Sequence, residues 1–265
     1  MNTLFKICLT TALTSVIGTS SFALTADEIM HKVDALETPK AVKSQMTMVL
    51  IDSRNNQRLR SLQTVRIKQD ETTKSLMFFT EPTDVRGTGF LMFDHELAEQ
   101  DDDQWMFLPA LGKAKRIANG DTTGSFMGSD FTYADMTKRN LEDWTFTLIK
   151  EDTVNNQAVW VIEALPRNDE VIERTGYVRS ITYIRQDSFQ VIRGINYLTK
   201  DGEVKLMDVS KSELIDGFWF STEVQMISQK NKKIVHRTIM TTDDIDLDFD
   251  VDPNSFTLTG LEQGL

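Results

Sequence analysis

This 265-residue sequence predicts a mainly β chain built around one large antiparallel sheet. Three observations carry that prediction. Twelve runs rich in β-branched, aromatic and alternating apolar residues are separated by short turn clusters. Asp201-Gly202 lies between Leu198 and Val204, and Asp216-Gly217 directly precedes Phe218-Trp219-Phe220; Asp-Gly suits tight hairpins because both positions accept positive φ. No proline- or glycine-rich linker and no internal repeat divides the chain. A sheet of that many strands must curl strongly or close into a barrel, and curling leaves a concave face that can receive a ligand.

Taken in order, residues 1–23 read as a secretory signal peptide: Lys6, an apolar run around Ile7 to Ile17, and the small-residue exit Ser21-Phe22-Ala23, with cleavage before Leu24. The run is too short and too interrupted by Thr and Ser to span a bilayer, which takes about 20 apolar residues. The single cysteine, Cys8, lies too early for lipoprotein-type cleavage. Residues 24–265 then form one domain without disulfides, stabilised by its core, and the style of the leader places it in a Gram-negative periplasm. Thr25-Ala26-Asp27-Glu28 is a capping box opening a helix whose Ile29, Met30, Val33 and Leu36 share one face, closed by Pro39. Strands follow over Val42 to Asp52, Arg58 to Gln69, Lys74 to Thr80, Phe90 to Asp94 and Gln104 to Leu108. A one- or two-turn helix is expected from Ser129. The remaining strands are Trp144 to Lys150, Ala158 to Leu165, Tyr177 to Arg185, Gln190 to Leu198, Val204 to Leu214, Phe218 to Ser228 and Ile234 to Thr241.

A formal charge of −11 argues against nucleic acid, since neutralising phosphates takes Lys and Arg, and against nonspecific adhesion to anionic membranes. Signals for catalysis are missing. His31, His95 and His236 are scattered, so no metal is expected. Gly124-Ser125-Phe126-Met127-Gly128 has Phe at the centre where a nucleophile elbow needs Ser. The alternating carboxylates from Asp243 to Asp252 lack the Gly and Glu of a calcium loop. They read as an exposed strand edge with Ile245, Leu247, Phe249 and Val251 inward. The expectation is a protein without catalytic residue or cofactor.

What remains is apolar material. Leu76-Met77-Phe78-Phe79, Phe90-Leu91-Met92-Phe93 and Trp105-Met106-Phe107-Leu108 are apolar on both faces, whereas a sheet with one wet face would alternate. One side is expected to meet a helix or lid and the other to face protein or an apolar guest. Methionine-rich walls suit guests of variable shape. The wall is assigned to Met77, Phe79, Phe90, Met92, Trp105 and Phe107. Between Gly120 and Met136, three glycines loosen a segment carrying Phe126, Met127, Phe131, Tyr133 and Met136, which reads as a hinged apolar flap; a plain core plug is the competing reading. The basic run Lys113, Lys115 and Arg116 is either a solvated strand end or a contact for a lipid head group or an acidic partner surface.

The block from Gln104 to Ile117, QWMFLPALGKAKRI, the stretch from Gly124 to Met136, GSFMGSDFTYADM, and the ending Phe256 to Glu262, FTLTGLE, together resemble the outer-membrane lipoprotein-sorting protein family, which is akin to the LolA/LolB-like periplasmic carriers. The resemblance implies an incomplete, half-barrel sheet around an apolar cavity covered by short helices and loops. It implies a carrier or sorting factor that binds acyl chains of lipoproteins or other lipids and moves them toward the outer membrane, touching membranes transiently. The alternative is a periplasmic accessory or sensor that partners an RND-type inner-membrane exporter or an envelope-stress signalling protein. In such carriers a strand arginine bonds the lid; Arg58, Arg60, Arg66 and Arg86 are all available for that role here.

Overall fold

The structure, a computed structural model, describes residues 24–96 and 100–264. The leader expected over residues 1–23 lies outside the described residues. The capping box forms as its residue types require: the Thr25 hydroxyl accepts the Glu28 N–H at 3.2 Å while the Glu28 carboxylate accepts the Thr25 N–H at 2.8 Å. It opens helix α1 (Ala26–Asp34), whose Ile29 and Met30 are buried.

Thirteen strands make one antiparallel sheet that does not close into a barrel. They are β1 (Ala41–Asp52), β2 (Gln57–Gln69), β3 (Thr72–Glu81), β4 (Gly89–His95), β5 (Asp103–Leu108), β6 (Lys113–Arg116), β7 (Trp144–Val154), β8 (Gln157–Pro166), β9 (Tyr177–Arg185), β10 (Val191–Leu198), β11 (Glu203–Ile215), β12 (Phe218–Lys230) and β13 (Lys233–Asp246). The order is β6-β5-β4-β3-β2-β1-β13-β12-β11-β10-β9-β8-β7, so the first and last strands pair in the middle of the sheet and β6 and β7 form its edges. Asp216 and Gly217 both adopt positive φ, 49° and 87°, as the hairpin between β11 and β12 demands. All twelve expected runs are strands. The thirteenth, β6, is four residues with three cations, too short and too charged for a periodicity argument.

Three local expectations need correction. No helix starts at Ser129, which is extended at φ −81°, ψ 177°. The helical turn begins instead at Tyr133, where Thr132 and Asp135 form their own capping box. The acidic run is not strand throughout: β13 ends at Asp246, and Phe249 and Val251 fold back onto the sheet. Two short helices, α2 (Asp169–Thr175) and α3 (Leu258–Gln263), lack the length for a periodic signal but carry side-chain caps at Asn168 and Thr257.

The doubly apolar strands are explained by two covers. Met77, Phe79, Phe90 and Met92 point to the inner face and pack beneath the segment that carries Phe126 and Phe131. Leu76, Phe78 and Leu91 point to the outer face and pack beneath Phe256 and Leu261. Helix α1 caps a separate cluster with Ile162 and Ile184 of β8 and β9. Fully burying a side chain of this size contributes about 1.5–3 kcal/mol, so each cover is held by its own apolar cluster.

Candidate functional site

The segment from Asn119 to Met136 is folded on itself. Phe126 N–H donates to the Phe131 carbonyl at 2.8 Å, Tyr133 N–H to the Gly124 carbonyl at 3.2 Å and Ala134 N–H to the Thr122 carbonyl at 2.9 Å. This brings Phe126 to zero exposure, with its ring centroid 4.7 Å from Phe90, 5.8 Å from Tyr133 and 6.2 Å from Phe79. Met127, between two glycine-flanked turns, adopts φ 51°.

Polar bonds tie this flap to the sheet at four places. Arg60 of β2 donates to the Met127 carbonyl, and its guanidinium lies 6.0 Å over the Phe79 ring. Asp130 is buried: its N–H donates to the Thr238 hydroxyl at 3.0 Å, and its carboxylate bonds that hydroxyl and the His236 Nδ1, each at 2.7 Å. Gln104 Nε2 donates to the Tyr133 carbonyl at 3.0 Å. Tyr177 donates its hydroxyl to Asp135 at 2.7 Å, and burial beside that carboxylate pushes the phenol well above its ordinary value. Of the four arginines available by sequence, Arg60 is the one bonded to the flap.

The sequence-assigned residues divide. Met77, Phe79, Phe90 and Met92 share one cluster with Phe126, Met127, Phe131, Tyr133 and Met136. Trp105 and Phe107 do not belong to that wall: the register of β5 turns them to the outer face beside Phe256 and Leu261, and puts Gln104 and Met106 inward. A one-residue shift in strand parity exchanges faces, and a run apolar on both sides gives no parity. Lys113, Lys115 and Arg116 are exposed on the edge strand β6, where Arg116 Nε donates to Asp103 at 3.2 Å and the Ala114 N–H donates to Glu262 of α3 at 2.9 Å.

A cavity of about 1100 Å³ lies between α1, the flap and the inner face. That is slightly above the roughly 300–1000 Å³ range of small-molecule pockets. Among the described residues, Phe131 is the only assigned site residue lining it; the flap fills the space above Phe79 and Phe90, and the opening falls beside it. Its wall mixes apolar Met30, Val33, Met207 and Met226 with Arg66, Asp94, Gln104 and Arg139. Burial pushes the carboxyls of Asp94 and Asp102 up, opposed by the N–H bonds they accept from Lys138 and His95. Burial lowers Arg66 and Arg139, although a guanidinium stays protonated in a protein. These polar residues were missed by reasoning on apolar runs. The available signal was the alternation Arg60, Leu62, Thr64, Arg66 on one face of β2. No group of three or more His, Cys, Asp or Glu side chains able to hold a metal occurs among the described residues.

Comparison with known proteins agrees with this geometry. A family model described as an uncharacterized protein matches residues 71–263, more than half of the chain. A solved structure described as an outer-membrane lipoprotein-sorting protein domain from Vibrio parahaemolyticus is 25% identical with a TM-score of 0.80, covering 89% of this chain and 98% of that one. The chain belongs to the family of that model, and its structural neighbours are outer-membrane lipoprotein-sorting and LolA superfamily proteins. A DUF1329 family protein from Desulfovibrio piger is similar to the same degree, 26% identical with a TM-score of 0.79 over 89% of this chain and 97% of that one. A LolA superfamily protein from Nitrosomonas europaea shares the fold at 19% identity and a TM-score of 0.66, over 89% and 98% of the two chains. No curated protein matches the sequence. The open antiparallel sheet with its short helices is thus a LolA-like fold.

Proposed function

We propose that this protein is a periplasmic carrier that shields acyl chains of lipoproteins or other lipids and moves them toward the outer membrane, by binding and not by catalysis. The observation that carries the reading is the flap, an apolar lid latched by Arg60 over a methionine- and phenylalanine-rich sheet face and bordered by a cavity large enough for an amphiphile. Met77, Phe79, Phe90 and Met92 are the floor. Phe126, Met127, Phe131, Tyr133 and Met136 are the lid, which lifts when cargo enters. Each methylene buried contributes about 0.8 kcal/mol, so a modest apolar groove holds a chain and still releases it.

Lys113, Lys115 and Arg116 are the proposed contact for a membrane surface or a partner, since they are exposed together on a sheet edge. An RND-type exporter as that partner rests on the sequence resemblance alone. Protein purified from periplasm, extracted and analysed by mass spectrometry, is expected to release acyl-bearing species in stoichiometric amount. Consistent absence of any such species, with candidate membranes supplied, overturns the carrier reading.

A further inference from the structure

The inner face of β2 places Arg66 on the wall of the cavity, where its guanidinium makes no hydrogen bond or ion pair among the described residues; Asp94, on the same wall, acts on it only at longer range. Arg139 lines the same cavity. It donates to the Ser180 hydroxyl at 3.2 Å and lies 4.4 Å over the Trp144 ring, with no carboxylate in ion-pair contact among the described residues. Of the other cations on this wall, Lys138 pairs with Asp34 at 2.8 Å, Lys68 with Glu96 at 2.6 Å and Arg174 with Asp143, and Lys40 is exposed to solvent. A third polar group is also incomplete. Gln104 is buried and lines the cavity, and its Oε1 has no hydrogen-bond partner among the described residues.

A half-buried charge without an ion-pair partner is costly, and an arginine cannot escape the cost by losing its proton. Two such guanidinium groups bordering one cavity are therefore a recognition device for anions, because planar forks of N–H donors match carboxylate and phosphate oxygens. Of the eight carboxylates on the same wall, Asp34, Glu96, Asp101 and Asp143 pair with Lys138, Lys68 and Arg174, Asp135 accepts the Tyr177 hydroxyl and faces Lys205, and Glu37 is exposed. Asp94 and Asp102 accept backbone N–H groups, and burial disfavours their charged forms. Met207 and Met226 supply apolar wall to the same cavity.

We infer that the cavity selects anionic amphiphiles, with a carboxylate or phosphate head received by Arg66, supported by Arg139, and an acyl chain against the methionine wall. This deepens the carrier reading and rests on it. Binding of the mature chain to four probes separates the two: palmitate, hexadecyl phosphate, monopalmitoylglycerol and inorganic phosphate. Palmitate and hexadecyl phosphate are expected to bind at least about tenfold tighter than neutral monopalmitoylglycerol, the size of a charge-assisted hydrogen bond. Arg66→Gln is expected to collapse that ratio toward one while leaving the neutral probe within about twofold, and Arg66→Lys to restore part of it. Equal affinity for anionic and neutral amphiphiles in the unsubstituted protein overturns the inference and leaves the carrier standing; this comparison needs no variant to fold. Inorganic phosphate binding as tightly as the amphiphiles overturns it in favour of a free-anion site. Failure of all three chain-bearing probes overturns the carrier reading as well.

Discussion

Arg60 and Met127 are 67 positions apart, and one hydrogen bond between them ties the flap to β2. Removing the donor leaves the Met127 carbonyl to find water, at a cost of about 1 kcal/mol. Arg60→Ala is therefore expected to raise amide exchange across residues 125–133 about fivefold, read by hydrogen-exchange mass spectrometry, with the exchange of β1 and β13 little changed. Asp102 gives a test of the opposite sign. Its folded-state affinity for a proton is raised by burial, so the native state is penalised wherever the carboxyl is ionised. That penalty is present above the raised value and fades as the pH falls through it toward the ordinary carboxylate range, where native and unfolded chains are both protonated. Asp102→Asn keeps an acceptor for the His95 N–H and removes the charge. It is expected to stabilise the protein by roughly 0.5 kcal/mol at pH 7 in chemical denaturation, with the gain absent at strongly acidic pH.

At the scale of elements, the two covers explain why β3 and β4 have no wet face. Helix α3 approaches the sheet closely at Gly89, where a Cβ would stand 2.6 Å from the Phe78 ring and 2.8 Å from a Leu261 methyl. Gly89→Ala must push one of these out of a filled contact, so a loss of about 1–3 kcal/mol is expected, read as a lowered denaturation midpoint. Local signals located the strands, the α1 capping box and the Asp-Gly hairpins, because each depends on residues a few positions apart. They failed at Trp105 and Phe107. In a run apolar at every position, the face of each residue is set by the pairing of β5 with β4 and by what lies above it. They failed again at Ser129, where two small caps competed and Thr132 with Asp135 formed the complete reciprocal pair.

For the whole molecule, the pairing of β1 with β13 joins the two halves of the sheet, β2 to β6 on one side and β12 to β7 on the other. Such a sheet depends on contacts distant in sequence, and removing the joint exposes two interior edges. A chain ending at residue 232 is expected to be insoluble or to lose cooperative unfolding; a soluble, cooperatively melting product would show that the halves fold independently. The acidic balance of −11 acts at this scale too, by repelling other anionic surfaces, so an anionic head is drawn in only where Arg66 and Arg139 make a local exception.

Taken alone, the sequence determined that this is an antiparallel β protein, because alternation, turn chemistry and composition are local properties, and it left the apolar, glycine-rich segment with two readings, flap and core plug. Only the tertiary structure decided that Arg60 bonds the Met127 carbonyl, that Met77 and Phe79 lie beneath Phe126 and not along the open cavity, and that the cavity wall carries guanidinium groups without an ion-pair partner among the described residues. Those facts depend on which remote segments come to cover each face. Burial, which gives a methionine or an arginine its meaning, is a property of neighbours in space.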